Sequence, residues 1–83
     1  MATRLTIEFK NLCRPPEYVS FLQNVFADAM RDYHPNIERL AYLQQRGYWE
    51  YIQAKQRGIW AVTRYLTIKE RLRVVPIVRF END

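Results

Sequence analysis

From Gly47 onward the chain can be threaded in two ways, and the choice between them decides the fold. The string QRGYW at 45–49 returns as QRGIW at 56–60, an interval of eleven residues. Eleven residues are close to three turns of α-helix, so one continuous helix would stack Trp49 and Trp60 and set Arg46, Arg57, Arg64 and Arg71 along one stripe. Two local features oppose that helix. Gly58 would fall in its interior, at a cost of about 1 kcal/mol relative to alanine. The residues around it, Tyr48, Trp49, Tyr51 and Ile52 and then Ile59, Trp60, Val62, Thr63, Tyr65, Thr67 and Ile68, are mostly aromatic or β-branched, the types that suit a pleated surface. The strand reading is therefore the expectation. It puts Trp60, Val62, Leu66 and Ile68 on one face of a strand over 59–68, with Arg64 the exception. It gathers Leu72, Val74, Pro76, Val78 and Phe80 on one face of a strand over 72–80. Lys55-Gln56-Arg57-Gly58 becomes a hairpin turn with a glycine available for positive φ, and Lys69-Glu70-Arg71 a second connection. Pro76 has no amide for a ladder and belongs at an edge or a bulge.

The first half is less ambiguous. Residues 3–10 alternate, with Leu5, Ile7 and Phe9 on one side and Arg4, Thr6, Glu8 and Lys10 on the other, which predicts a half-buried strand. Pro15 and Pro16 suit a helix start. Tyr18, Leu22, Val25, Phe26, Ala29 and Tyr33 then recur at helical spacing, so an amphipathic helix of about four turns follows. His34-Pro35-Asn36 breaks it, Asn36 is placed to cap a second helix with Ile37, Leu40, Ala41 and Leu43 facing inward, and Gly47 stops that helix. The expectation is an α+β domain of order β-α-α-β-β-β, two helices packed on a small antiparallel sheet.

Eighty-three residues accommodate a single domain, 1–83, near the lower size at which a chain buries enough apolar surface to fold alone. No run approaches the about eighteen apolar residues of a membrane span, and the N-terminus enters an alternating pattern without a secretory leader, so no membrane association and a cytoplasmic location are expected. Cys13 is the only cysteine, expected as a reduced, semi-buried thiol, and it excludes an intramolecular disulfide or a cysteine-based zinc site. Thirteen basic against nine acidic residues give a formal charge of +4. Ten of the thirteen are arginines, whose planar fork suits phosphates and stacked bases better than an ammonium does. That balance favours an anionic partner without choosing one.

If Leu5, Ile7, Phe9, Leu72, Val74, Val78 and Phe80 face the helices, the other face of the last strand carries Arg73, Val75, Ile77, Arg79 and Glu81, with Tyr51 or Tyr65 alongside. Guanidinium groups interleaved with aromatic rings hold phosphates and stack bases, as on single-stranded RNA. Candidate nucleic-acid contacts are therefore Lys55, Arg57, Arg64, Arg73, Arg79, Tyr51 and Tyr65. The competing reading is an ordinary exposed face whose arginines pair with Glu50, Glu70 and Glu81, at about 0–1 kcal/mol a pair. Glu50 and Glu81 could serve as general base or acid if held near arginines. His34 is the single histidine, so neither a histidine pair nor a multi-histidine metal site is available, and at a helix junction it fits a cap or packing role. Trp49 and Trp60 read as core or interface residues. No glycine-rich phosphate loop, nucleophile elbow or zinc or calcium spacing appears, so no cofactor and no metal are expected.

Several strings resemble the RelE/ParE superfamily of toxin–antitoxin toxins. Leu43-Gln44-Gln45-Arg46-Gly47-Tyr48-Trp49-Glu50 is similar to the family's approach to its second strand. Gly58-Ile59-Trp60-Ala61-Val62-Thr63-Arg64-Tyr65 resembles a later strand, and Val78-Arg79-Phe80 the terminal strand of its YoeB-like branch. The resemblance implies a metal-independent, ribosome-dependent endoribonuclease, or a gyrase-directed toxin, acting through a basic sheet face that an antitoxin segment covers. Carried over by position, Arg79 matches a phosphate-binding arginine, and the catalytic candidates are Arg79, Glu81 and Glu50. The central-strand arginine falls on Trp60 or Ala61 and the terminal histidine on Glu81, so the catalytic set is incomplete. Two other readings stand beside this one. The first is a non-enzymatic interaction protein, such as a small phage or viral factor that binds a host protein or nucleoprotein complex. The second is a winged-helix DNA-binding protein, with two helices over 36–57 and a wing over 59–80.

Overall fold

The alternating run forms strand β1 (Thr3–Lys10), and its apolar side, Leu5, Ile7 and Phe9, turns inward. The computed structural model describes residues 3–47 and 49–82. Within them β1 is followed by helix α1 (Pro16–Tyr33), α2 (Ile37–Arg46), α3 (Trp49–Thr63), the short α4 (Ile68–Arg73) and strand β2 (Val75–Asn82). The α+β class holds, and so does the small antiparallel sheet with helices packed on it. The sheet consists of the two terminal strands, paired antiparallel with Leu5 opposite Phe80, Ile7 opposite Val78 and Phe9 opposite Pro76.

The local punctuation acts as its chemistry requires. Pro16 opens α1, where a missing amide costs nothing. The Asn36 side chain accepts from the Arg39 amide at 3.0 Å and caps α2. Gly47, at φ 69°, closes α2 in the left-handed region, its amide donating to Gln44 and Leu43 carbonyls.

The order β-α-α-β-β-β does not form. Residues 49–63 are helical, the expected hairpin turn at 55–58 lies inside α3, and the expected connection at 69–71 lies inside α4. No strand occupies 59–68, and the terminal strand begins at Val75 rather than at residue 72. Leu72, expected in the core, stands 84% exposed on α4. A wing over 59–80 is likewise absent, because α4 interrupts that stretch and β2 pairs with β1. The expected strand residue Tyr48 lies outside the described residues. Cys13 is free and exposed rather than semi-buried.

Burial overrode local propensity here. Tyr51, Ala54, Gly58 and Val62 are the buried positions of α3, spaced as one helical stripe. Gly58, read from sequence as a helix breaker, is what lets α3 approach α1. A Cβ there would collide with the ring of Phe26, a fully buried side chain that also meets Phe9 edge-on at a centroid distance of 6.0 Å. Phe26 thus joins the sheet to α3 through α1. Both α1 and α2 contact β1 on one side and α3 on the other, and Tyr51 meets Phe80 at 6.3 Å to close the end of the core.

Helix α4 is held by polar contacts. Thr67 and Glu70 form a reciprocal capping box, the Glu70 amide donating to Thr67 Oγ1 and the Thr67 amide to Glu70 Oε1. The Glu70 carboxylate is buried and receives Arg14 in a two-pronged ion pair, at 2.7 and 2.8 Å. At the far end the Asn11 side-chain Nδ2 donates to the Arg73 carbonyl at 3.2 Å.

Candidate nucleic-acid interface

Ion pairing divides the charges of this chain into two populations. Among the described residues, Arg4 pairs with Glu81, Arg14 with Glu70, Arg31 with Asp28, His34 with Glu50, and Arg79 with Glu8. Lys10, Arg39, Arg46, Lys55, Arg57, Arg64, Lys69, Arg71 and Arg73 make no such pair. From Trp49 to Arg73, six basic side chains stand against two acids, Glu50 beside His34 and Glu70, which Arg14 already neutralises. Most of the unpaired positive charge therefore lies on α3, α4 and the turn between them, with Lys10 on β1 and Arg39 and Arg46 on α2 outside that stretch.

The expected basic sheet face is nearly balanced instead. On the outer side of the sheet, Arg79 Nε lies 3.1 Å from Glu8 and Arg4 Nη2 lies 3.1 Å from Glu81, which also accepts from the Thr6 hydroxyl. Arg79 and Glu81 share that face, whereas Glu50 stands in the helical layer beside His34, at 3.4 Å. The three catalytic candidates are not brought together.

The nucleic-acid candidates separate as well. Tyr51 is buried, its hydroxyl accepting from the Gln44 side chain at 3.0 Å, and burial pushes its phenol up from its ordinary value. It is a core residue. Tyr65 is half-buried, edge-on to Phe21 at 5.0 Å, with Arg64 over its ring at 5.6 Å. Lys55 is half-buried on α3, and Arg73 faces a separate hollow beside Asn11 and Cys13. Arg57 and Arg64 remain together on an open surface.

That surface is built by α3. Trp49, Ile52, Gln56 and Trp60 recur at helical spacing on its outward side, and the two tryptophans are 67% and 78% exposed. Two open depressions lie along it. The larger, about 820 Å³, is lined by Asp32 and Tyr33 of α1, Arg57 and Trp60 of α3, Arg64 just beyond α3, and Arg71 of α4. The smaller, about 520 Å³, includes Trp49, Ile52 and Gln56, and Tyr33, Arg57 and Trp60 are common to both. Arg57 lies over the Tyr33 ring at 5.2 Å, and the Tyr33 hydroxyl donates to Gln53. Arg71 Nε donates to the Thr63 carbonyl at 3.0 Å, which fixes its stem at the end of α3 while leaving further N–H groups on the guanidinium.

The face thus offers guanidinium donors, exposed indole planes and one acid, Asp32. Trp49, Trp60 and Arg71 were not among the binding residues expected from sequence, although the eleven-residue repeat carries the signal that puts the two tryptophans on one side of a helix; Arg71 reaches the site from α4. No family model, curated protein or solved structure matches the chain. Among the described residues no helix is long and apolar enough to cross a membrane, and no group of His, Cys, Asp or Glu side chains is placed to hold a metal ion.

Proposed function

We propose that this chain is a binding module that holds nucleic acid, free or within a nucleoprotein complex, through the face formed by α3 and α4, and cleaves nothing. The observation that carries this reading is the concentration of unpaired arginines, Arg57, Arg64 and Arg71, around one open depression. Unpaired guanidinium groups on one surface favour phosphates, and binding that neutralises phosphates weakens linearly on a logarithmic salt scale. Titration of a labelled oligonucleotide with the chain over a range of salt concentrations is the test. Affinity should fall steeply with salt. Absence of any salt-dependent binding at low ionic strength would remove the proposal.

A toxin of the RelE/ParE kind is the second reading, supported by the exposed Arg79 of Val78-Arg79-Phe80 on the terminal strand. It predicts that inducible expression arrests growth through translation or DNA supercoiling, and that substituting Arg73, Arg79 and Glu81 abolishes the arrest while the fold persists. An antitoxin would then be the protein partner. If expression leaves growth, translation and supercoiling unchanged, this second reading fails and the binding module stands alone.

A further inference from the structure

We infer that the α3 face is a single-strand site, in which bases stack on Trp60 and Trp49 while phosphates are held by Arg57, Arg64 and Arg71. This inference rests on the nucleic-acid reading above and specifies its ligand.

The argument begins with the indoles. They are the only two tryptophans of the chain, they project from the same side of one helix, and both are well over half exposed. An exposed indole has no evident role in holding the fold, since the core is completed by Phe26, Leu22, Met30, Leu40 and Leu43 beneath it. Its flat face accepts any unpaired base, and its single N–H donor is poorly suited to reading the paired edges of a duplex groove. Trp60 also lines both depressions, so a base can lie on either side of it.

The charges surround these rings. Arg57 and Arg64 are seven residues apart along the chain, about 10 Å at helical rise, and Arg71 comes from α4 to the same depression. A flexible strand can set successive phosphates against groups so spaced. Asp32 of α1 lines the same depression and its negative charge weakens the site for an anion, so its removal provides a test of opposite sign. A second copy of this chain is the other occupant that an apolar stripe could attract. The three arginines beside the stripe disfavour it, because two copies would bring like charges together.

The experiment follows tryptophan emission, which in this protein reports only from the proposed site, while the full chain is titrated with oligouridylate, oligothymidylate or a duplex of equal length. The single strands should quench the emission and bind more tightly than the duplex. Trp60→Ala should weaken single-strand binding by about 5- to 150-fold, the range expected for one lost stacked base. Arg64→Gln should lower the steepness of the salt dependence by about 0.7, and Asp32→Asn should raise affinity. Circular dichroism of each variant checks that α3 is intact. Equal or tighter duplex binding, or an unchanged affinity in Trp60→Ala, would overturn the single-strand site while leaving the nucleic-acid reading in place. Failure to bind any of the three probes would overturn both, as would self-association that accounts for the emission change.

Discussion

Gly58 shows how one residue can mislead a sequence reading and yet hold the fold together. Glycine is a weak helix former, but its missing side chain also leaves the room that the buried Phe26 ring occupies against α3. Gly58→Ala would gain about 1 kcal/mol in helix propensity and lose about 1–3 kcal/mol to overpacking, because the fully buried ring has no room to turn away. We expect a net loss of about 1 kcal/mol, read as a fall of about 4–8 °C in the unfolding midpoint. Combining the substitution with Phe26→Leu should shrink its cost; an undiminished cost would show that the Phe26 contact is not its source. Gly47 has a different role. Nothing crowds its Cβ position, so Gly47→Ala is limited by the left-handed backbone alone and should cost about 1–2 kcal/mol by denaturant titration.

At the scale of elements, α4 is six residues long and owes its place to one carboxylate. Arg14, followed by the Thr67 amide, holds the Glu70 carboxyl down to about 2 from an ordinary 4.5. The unfolded chain therefore binds the proton first as pH falls. The contribution of this pair to stability is complete above about pH 4.5 and is lost as pH falls from there through about 2. Glu70→Gln should flatten the loss of stability across that window and raise amide exchange in residues 68–73 at neutral pH. Protection in α4 equal to that of the unsubstituted chain would contradict the anchoring role. The elements with strong local signals, β1, α1 and the capped and glycine-terminated α2, were legible from sequence because periodicity and punctuation agree in them. In α3 they conflict. Its aromatic and β-branched residues favour strands, while its eleven-residue repeat and its buried stripe of Tyr51, Ala54, Gly58 and Val62 favour a helix, and the stripe has meaning only once α1 lies against it. Because 49–63 is helical, Arg57 lies on α3 and Arg64 just beyond it rather than on a sheet, so the candidate surface lies on α3 and α4. The terminal arginine Arg79 was placed on the outer strand face as its alternation required, but its pairing with Glu8 depends on the register of β1 against β2 and could not be read from either strand alone.

Across the whole molecule, charge and fold are distributed asymmetrically. The first and last strands pair in a sheet whose outward charges, Lys10 apart, neutralise each other, and the helical layer on the other side carries most of the unpaired cations and both tryptophans. A polyanion should therefore find one side of this protein and not the other. The most direct test compares the salt dependence of oligonucleotide binding for two variants of matched charge change. Arg57→Gln with Arg64→Gln removes two cations from the α3 face, and Arg4→Gln with Arg79→Gln removes two from the sheet. Single-strand binding should lose about 1.4 from the slope of log affinity against log salt in the first variant and almost nothing in the second. A larger loss in the sheet variant, or equal losses in both, would contradict the assignment of the interface to α3 and α4.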